Sequence, residues 1–428
     1  NDQINEEWLT DKARYSFDSV SKNRLDIPLM KTNKFQEISW EEVFGQLHKN
    51  LVSNNSLSNP TIRLKLGSLV DLETITACEN ISRVLKQNVN IVSYKKSNNV
   101  NINLDHTLNY RATDINNKLA EADLLLLVNL DLKNEIPLFN ARLSNSIRKS
   151  GVPVGVLGSN IDCSFNYEHI GFDLKDFITL LEGNNKFLNK ILQAKSPLIL
   201  FGENCSTWNL NSFYPYLSKI NTNVNFSILN HNVAVAGLGE YGYNTNSKNG
   251  SNTNENFFID IGCVSSEEEI KEKGGYWVHI GSHGHTNLKN YDLILPSTTY
   301  LEKESTYMNF TGLVQKSGSL NSSLPHIRNE SDILNFFLMF LSKQLDSKDL
   351  INSSNMQLTS QTKILNNKNS MQDLHNIDFH TQIAHKMDFN KNSIDIDKYF
   401  TSNKFSKSSK IMNTIQMMNG QESYFSKN

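Results

Sequence analysis

The chain has 428 residues, 38% of them hydrophobic, with 42 basic and 44 acidic side chains and a formal net charge of −2. This length holds two or three domains and excludes a small single module. Near-neutral charge excludes a global field strong enough to draw nucleic acid or anionic lipid, so partners must be read by shape and local patches.

Mean hydropathy is −0.44, low for a compact enzyme, and 59 asparagines fill the deficit. Such residues favour turns, caps and surface loops. Only eight of the 42 basic residues are arginines, a Lys, Asn and Ile bias that points to AT-rich, organellar-type coding rather than to a structural demand. No run of about 18 apolar residues occurs, so no membrane span is expected. The sequence opens on Asn1-Asp2-Gln3, without Met or a signal core, and the expectation is a start processed away or unobserved. Cys78, Cys163, Cys205 and Cys263 lie tens of residues apart with no C-x-x-C pair. They read as isolated thiols in a reducing compartment, not as zinc or iron–sulfur ligands.

Residues 1–50 read as an extended lead that ends in a helix. Ser39 is a good N-cap, and Glu42 completes a capping box before Val43, Phe44 and Leu47. An apolar run over 61–66 stops at Gly67, and Asp71, Glu73, Ile75, Ala77, Ile81 and Leu85 then recur at helical spacing. A strand is expected over 90–94. Residues 123–128 form a continuous apolar strand, followed by a helix over 137–149 and a strand over 152–157. The next unit opens at Pro197, continues into a helix over 212–217, and reaches a strand over 223–229. The last runs from a strand at 257–261 through an acidic helix at 267–273 to strands at 276–280 and 292–295. An apolar helix over 332–345, capped by Ser331, follows. From there to about residue 390, Ser, Asn, Gln and Lys dominate with weak periodicity, which reads as loops or an arm over a neighbour.

Uninterrupted apolar strands alternating with helices indicate parallel sheets buried on both faces. The expected fold class is α/β, with two doubly wound, mostly parallel-sheet lobes and an irregular C-terminal arm. The expected divisions are a lead at 1–50, a first lobe at 51–190, a second at 191–345, and the arm and tail at 346–428.

Tyr291 to Gln315, YDLILPSTTYLEKESTYMNFTGLVQ, joins a buried strand, a proline stop, the pair Glu302-Lys303 and a Tyr-x-Asn-x-x-Gly run. It resembles the D-x-I-L-P-x-x-x-Y-x-E-K-x-x-T-Y-x-N-x-x-G-x-x-Q pattern of the molybdopterin oxidoreductase superfamily, which includes formate dehydrogenases and the large iron-sulfur subunits of respiratory complex I. The lead WLTDKARYSFD (Trp8 to Asp18), with Arg24-Leu25, Pro28-Leu29 and Ser39-Trp40-Glu41-Glu42, is similar to that family's opening. Residues 122–158 resemble its next segment at Glu135, Pro137, Asn140, Ala141 and Arg142. They depart from it at Asn129-Leu130-Asp131-Leu132, where cofactor-binding members carry G-x-N-P. A branched leucine beside an acid obstructs and repels a pyrophosphate, so no cofactor is expected at this loop.

The run DCSFNYEHIG (Asp162 to Gly171) and the tail at 395–415, with Tyr399-Phe400-Thr401, Ser406, Ser408-Ser409 and Met412, resemble the complex I branch. The tail departs from the branch pattern at Lys407 and Lys410. The match is looser over 172–260 and 345–390. Glu168-His169 reads as a hydrogen-bonded loop. Gly237, Gly239 and Gly242 have dinucleotide-loop spacing, but no strand-to-helix transition of the required kind is evident. His279, His283 and His285 lack the thiolate or carboxylate that closes a zinc tetrahedron, so a structural loop is expected. Glu302 and Lys303 read as a local charge pair, with Thr306, Asn309 and Gly312 shaping the next turn.

The resemblance implies a C-terminal, molybdopterin-oxidoreductase-like part of a complex I subunit without its cluster-binding N-terminal part. Its role would be structural and assembly support in the peripheral arm, a non-catalytic part of a proton-translocating NADH:ubiquinone reductase. Iron–sulfur clusters that carry electrons would sit in a partner polypeptide, the N-terminal half of the same subunit. Other peripheral-arm subunits are the remaining partners, on the matrix side of the mitochondrial inner membrane. No catalytic, cofactor-binding or metal-ligating residue is expected here, and no cofactor. The alternative is a bis-molybdopterin oxidoreductase such as a formate dehydrogenase. Against it stand the altered 129–132 loop, the missing cluster motif, and a C-terminus too short for the extra cofactor-clamping domain.

Overall fold

A computed structural model describes residues 7–53, 62–85, 89–93, 107–159, 161, 163–183, 185–202, 205, 217–230, 232–243, 255–320, 325–342, 400–401 and 403–425. The expected helix at 212–217, apart from its last residue, and the segment from 343 to 399 lie outside them.

In chain order the elements are α1 (Asp11–Tyr15), β1 (Leu29–Lys31), β2 (Phe35–Glu37), α2 (Trp40–Ser53), β3 (Ile62–Leu66), α3 (Leu72–Leu85) and β4 (Val89–Ser93). Then come α4 (Ile115–Glu121), β5 (Leu124–Val128), α5 (Leu132–Glu135), α6 (Pro137–Ser150), β6 (Val154–Leu157), β7 (Glu168–Gly171), α7 (Leu174–Leu181), α8 (Lys186–Gln193), β8 (Pro197–Gly202), β9 (Asn225–Leu229) and α9 (Val233–Glu240). The rest are β10 (Phe257–Ile261), α10 (Glu267–Lys273), β11 (Tyr276–Gly281), β12 (Leu293–Pro296), β13 (Ser305–Met308), β14 (Val314–Ser317), α11 (Glu330–Ser342), α12 (Lys404–Ser408) and α13 (Lys410–Phe425).

Local chemistry sets these boundaries. The Ser39–Glu42 box forms in both directions: the Glu42 amide donates to Ser39 Oγ at 3.3 Å, and the Ser39 amide donates to Glu42 Oε2 at 3.0 Å. Pro137 opens α6, and Gly151, at φ 65°, ends it by donating its amide to the Ile147 carbonyl. Ser266 caps α10, three glutamates fill its first turn, and Lys271 and Lys273 sit in its last, as the helix dipole favours. Ser331 is not the cap expected of it. The last apolar helix starts at Glu330, and the Ile333 amide reaches back to the Asn329 carbonyl.

Two sheets organise the described residues. One has the order β2-β1-β12-β11-β10-β3-β4, parallel from β12 to β4 and antiparallel in the β2–β1 and β1–β12 pairs; the other has the order β7-β6-β5-β8-β9, parallel throughout. Both read as doubly wound, because the chain leaves the first strand in one direction and returns beside it to continue in the other. Alternate residues feed opposite cores. Phe257, Ile259 and Ile261 enter one cluster while Phe258 enters another, and Leu124, Leu126 and Val128 part from Leu125 and Leu127 in the same way.

The sheets do not divide at residue 190. The seven-stranded sheet draws on 29–93 and again on 257–296, while the five-stranded sheet is built wholly from 124–229 between them. One lobe is thus inserted into the other. Sequence order missed this because pairings such as Ile62 with Phe257 are set by distant apolar strands, not by neighbours.

The lead and the tail also differ from expectation. Residues 11–15 are helical, followed by a 3-10 turn over Ser16–Ser21, and residues 404–425 of the supposed irregular arm form α12 and α13. The tail packs on the lead, and Asp18 Oδ2 accepts the Lys410 amide at 2.9 Å and the Ile411 amide at 3.5 Å, where α13 begins. Asp18→Ala removes this cap at a cost of about 1 kcal/mol. Amide hydrogen exchange over 404–418 should accelerate about fivefold, with the strands unchanged.

Candidate functional site

Ligands of doubly wound sheets bind where strand order reverses, outside the carboxyl ends of the strands. In the five-stranded sheet that point lies between β5 and β8. Asn129 follows β5 in the left-handed region at φ 47°, and its amide donates to the Leu157 carbonyl at 2.6 Å. A Cβ added to Gly202 at the end of β8 would fall far inside contact distance of the Asn129 carbonyl oxygen, and one at Gly158 would lie 3.1 Å from the Asn129 Cα. Leu130 and Leu132 are buried in the core, and α5 begins at Leu132.

The seven-stranded sheet reverses between β3 and β10. There a Cβ at Gly67 would lie 2.5 Å from the Gly262 carbonyl oxygen. The Gly67 amide donates to Ile261 O, and the Gly262 amide to Ile280 O, both at 2.8 Å. The Asn129, Gly67 and Gly262 amides are therefore held by neighbouring strands.

The Tyr291–Gln315 stretch runs between the lobes as a clasp. Tyr291 is buried, and its hydroxyl donates to Asp260 while accepting the Ser265 amide at 2.8 Å. Burial raises the Tyr291 phenol strongly, and the Asp260 charge adds to it, which keeps the hydroxyl a donor. Glu302 and Lys303 are not the mutual pair expected of them. Glu302 accepts Arg24 Nη2 at 2.7 Å, tying the clasp to the lead, and also accepts the Thr299 amide at 2.8 Å. Lys303 turns inward between Asp71 Oδ2 at 2.5 Å and Glu330 Oε2 at 2.7 Å.

Burial alone would raise the Asp71 carboxyl. The Lys303 ammonium, with hydrogen bonds from Lys303 and Thr74, more than offsets this and holds it below the usual range. For Lys303, burial lowers the ammonium's affinity for its proton, but Glu330 and Asp71 outweigh it and raise the value. The clasp then enters the hairpin β13–β14. The Thr306 amide donates to both Glu73 carboxylate oxygens at 3.0 Å, so Thr306 belongs to the strand rather than the turn. Asn309 and Gly312 do shape that turn. Asn309 Oδ1 accepts the Thr311 and Leu313 amides, and Gly312 adopts φ 88° against the Arg111 side chain. At the tip, Phe310 meets Phe139 of the inserted lobe edge to face, 6.2 Å between ring centres.

The other sequence candidates have separate structural partners. His279 lies buried on β11, 5.6 Å from the Tyr291 ring. His283 Nε2 donates to the Ser19 carbonyl at 2.9 Å, which leaves Nδ1 to accept from Ser282 Oγ at 2.8 Å. His285 caps the 3-10 turn Thr286–Asn290 through Nδ1. Among the described residues no group of three or more His, Cys, Asp or Glu converges to hold a metal ion. Glu168-His169 forms strand β7 rather than a loop; His169 bonds the Gly158 carbonyl at 2.9 Å, and Glu168 pairs with Lys190.

The glycine run needs a correction. A strand-to-helix transition does exist, from β9 to α9, but Gly237 and Gly239 lie inside the helix. Their missing side chains admit Leu72 and Ile75 at Gly237 and the Tyr110 ring at Gly239. They serve packing between α9, α3 and the inserted lobe.

Two α/β lobes, one inserted into the other and joined by the clasp, agree with comparison to known proteins. The molybdopterin oxidoreductase family model matches residues 24–338, and the chain belongs to that family. Similar proteins include the NADH-ubiquinone oxidoreductase 75 kDa subunit of Reclinomonas americana, 26% identical over 81% of this chain and 53% of that protein. The mitochondrial 78 kDa subunit of Neurospora crassa is 26% identical over 82% and 48%, and the 75 kDa subunit of Acanthamoeba castellanii 29% over 78% and 50%. The chain spans about half the length of these curated relatives. Among solved structures, a chain of the formyltransferase/hydrolase complex from Methylorubrum extorquens shares the fold at TM-score 0.53, with 10% identity over 74% of this chain and 99% of that one.

The family name implies a pterin, and the residues at the crossing points do not fit one. A pyrophosphate needs open space and free amides beside glycine. Here the Asn129 amide already donates to Leu157, Leu130 and Leu132 are core residues, and the Gly67 and Gly262 backbones touch. The sequence signal at 129–132 pointed to this loop. The second closure, at Gly67 and Gly262, had no sequence signal, because it depends on a strand pairing about 195 residues apart.

Proposed function

We propose that this chain is the molybdopterin-oxidoreductase-like part of the large subunit of NADH:ubiquinone oxidoreductase, and that it serves the peripheral arm as a structural and assembly element. The observation that carries this reading is the similarity of about four fifths of the chain to the NADH-ubiquinone oxidoreductase subunits named above. The bonded Asn129, Gly67 and Gly262 amides support a role without a pterin. Electron transfer from NADH to ubiquinone would run through iron–sulfur clusters in a partner, the cluster-bearing half of the same subunit, with no catalytic or metal-ligating residue contributed here.

Among the described residues no helix is long and apolar enough to cross a membrane. The proposed location is the matrix side of the mitochondrial inner membrane, held through other subunits. The test is native electrophoresis of the tagged chain from gently solubilised membranes of its host, stained for NADH oxidation. Co-migration with the NADH-oxidising band is expected; a free chain beside an intact band would overturn the reading.

A further inference from the structure

Helix α11 is apolar on every side. From Phe336 to Leu341 it reads FFLMFL, six apolar residues in a row, and a helix that is hydrophobic all round is normally a buried one. The fold serves one side: Ile333, Leu334 and Phe337 are buried in the core of the seven-stranded lobe, where α11 packs on α3 and α2. The outer side is left open, with Phe336 42%, Met339 56% and Phe340 38% exposed.

Ring contacts join that outer side to α2 as one surface. Phe44 sits 5.8 Å from the Phe336 ring and 6.5 Å from the Phe340 ring, and Trp40 stacks on Phe44 at 6.2 Å. Arg328 closes one end, its guanidinium 5.2 Å from the Trp40 ring and 5.3 Å from the Phe336 ring. The Trp40 indole is locked, because Nε1–H donates to the His326 carbonyl at 2.9 Å. Trp40–Phe44 and Phe336–Phe340 are each an i, i+4 row, so the surface is a pair of ridges of the kind against which a further helix packs. Aromatic residues, Met and Arg are the types enriched at interface centres, and side chains already held in place lose little freedom on binding.

Charge selects the kind of helix. At about 100° of turn per residue, Glu41 lies on the shoulder of α2 beside Phe44, and Asp332 on the shoulder of α11 beside Phe336 and Met339. Both acids are exposed, and the next shoulder positions, Gly45 and Asn335, are uncharged. Arg328, the cation at this surface, is engaged by the two rings.

We propose that α2 and α11 form a docking groove for an amphipathic helix of another protein, with apolar residues at i, i+3 or i+4, and i+7, and with lysine or arginine on its flanks to meet Glu41 and Asp332. Such a helix supplies the all-round cover that the sequence of α11 calls for.

Photo-cross-linking in cells of its host tests this, with benzoylphenylalanine in place of Met339 in the full chain. An adduct to another protein is expected, through a segment with that apolar spacing and basic flanks. Glu41→Lys with Asp332→Lys should lower the adduct yield about tenfold. The milder Glu41→Gln with Asp332→Asn, which keeps both side-chain shapes, should lower it about threefold. Glu121→Lys, at an exposed acid of the inserted lobe, should leave the yield unchanged. A yield indifferent to both charge variants, an adduct to residues 343–399 of this chain or to a second copy, or the absence of any adduct would overturn the docking groove.

Discussion

Lys303→Met should destabilise the fold by about 3–5 kcal/mol, the cost of breaking a buried ion pair from one side. Lys303 is 6% exposed and sits between Asp71 and Glu330, so the variant leaves two carboxylates facing each other without a cation. Asp71 also accepts the Thr74 amide at 2.7 Å and the Ser305 hydroxyl at 3.0 Å, so it cannot turn away to water without unmaking the start of α3 and the clasp.

The pH dependence gives a second reading with a definite sign. In the parent, the Asp71 carboxyl is depressed, so its contribution is present above the ordinary carboxylate value near pH ~4 and is lost as pH falls through the lower folded value. Lys303 is raised, so its contribution is present below the ordinary lysine value near pH ~10.4 and is lost only as pH rises through the higher folded value. In Lys303→Met the Asp71 carboxyl becomes a buried, unpaired acid whose folded value rises. Acidification from pH 7 to 5 should therefore narrow the stability gap to the parent. Urea midpoints at the two pH values check this; a gap that stays constant or widens would show that the triad is not the unit described.

Gly202→Ala should cost about 3 kcal/mol, the upper end for overpacking, although it adds one methyl group. The new Cβ would overlap the Asn129 carbonyl oxygen and come within 3.2 Å of the Leu130 Cα. That backbone has little room to retreat, because Asn129 is already left-handed and its amide is bonded to Leu157. Gly45 in α2 is the control, since nothing lies within 4 Å of a Cβ built there. Gly45→Ala should stabilise by about 0.5–1 kcal/mol through helix propensity alone. Opposite shifts of the urea midpoint, with unchanged slopes, are the expected result. Were Gly202→Ala as well tolerated as Gly45→Ala, the crossing point would be open enough to admit a ligand, and the argument from its closure would fail.

What the sequence disclosed was what local chemistry and uninterrupted apolar strands decide. Residues 123–128, the run opening at Pro197 and residues 257–261 read as buried strands of a parallel sheet and form β5, β8 and β10, and the Ser39–Glu42 box fell where expected. Partition into lobes was hidden, because an apolar strand carries no address: Ile62 pairs with Phe257, and the whole inserted sheet lies between them in sequence. The clasp was recognisable by motif, but its mechanics were not. Adjacent residues in an irregular turn point apart, so Glu302 finds Arg24 while Lys303 finds Asp71 and Glu330, hundreds of residues away in two of the three cases. Gly237 and Gly239 misled for a related reason. Glycine spacing looks the same whether the missing side chain admits a phosphate or a Tyr110 ring.

On the proposed function, a redox-enzyme fold is kept here for its shape while the electron carriers sit elsewhere. Elemental analysis of the affinity-purified, NADH-oxidising assembly tests it most directly. Several iron atoms per copy of this chain are predicted, all retained by a co-purifying polypeptide when the chain is separated from it, with molybdenum, tungsten and extractable pterin far below one per chain. One molybdenum or tungsten per chain, accompanied by pterin that stays with this polypeptide after separation, would contradict it.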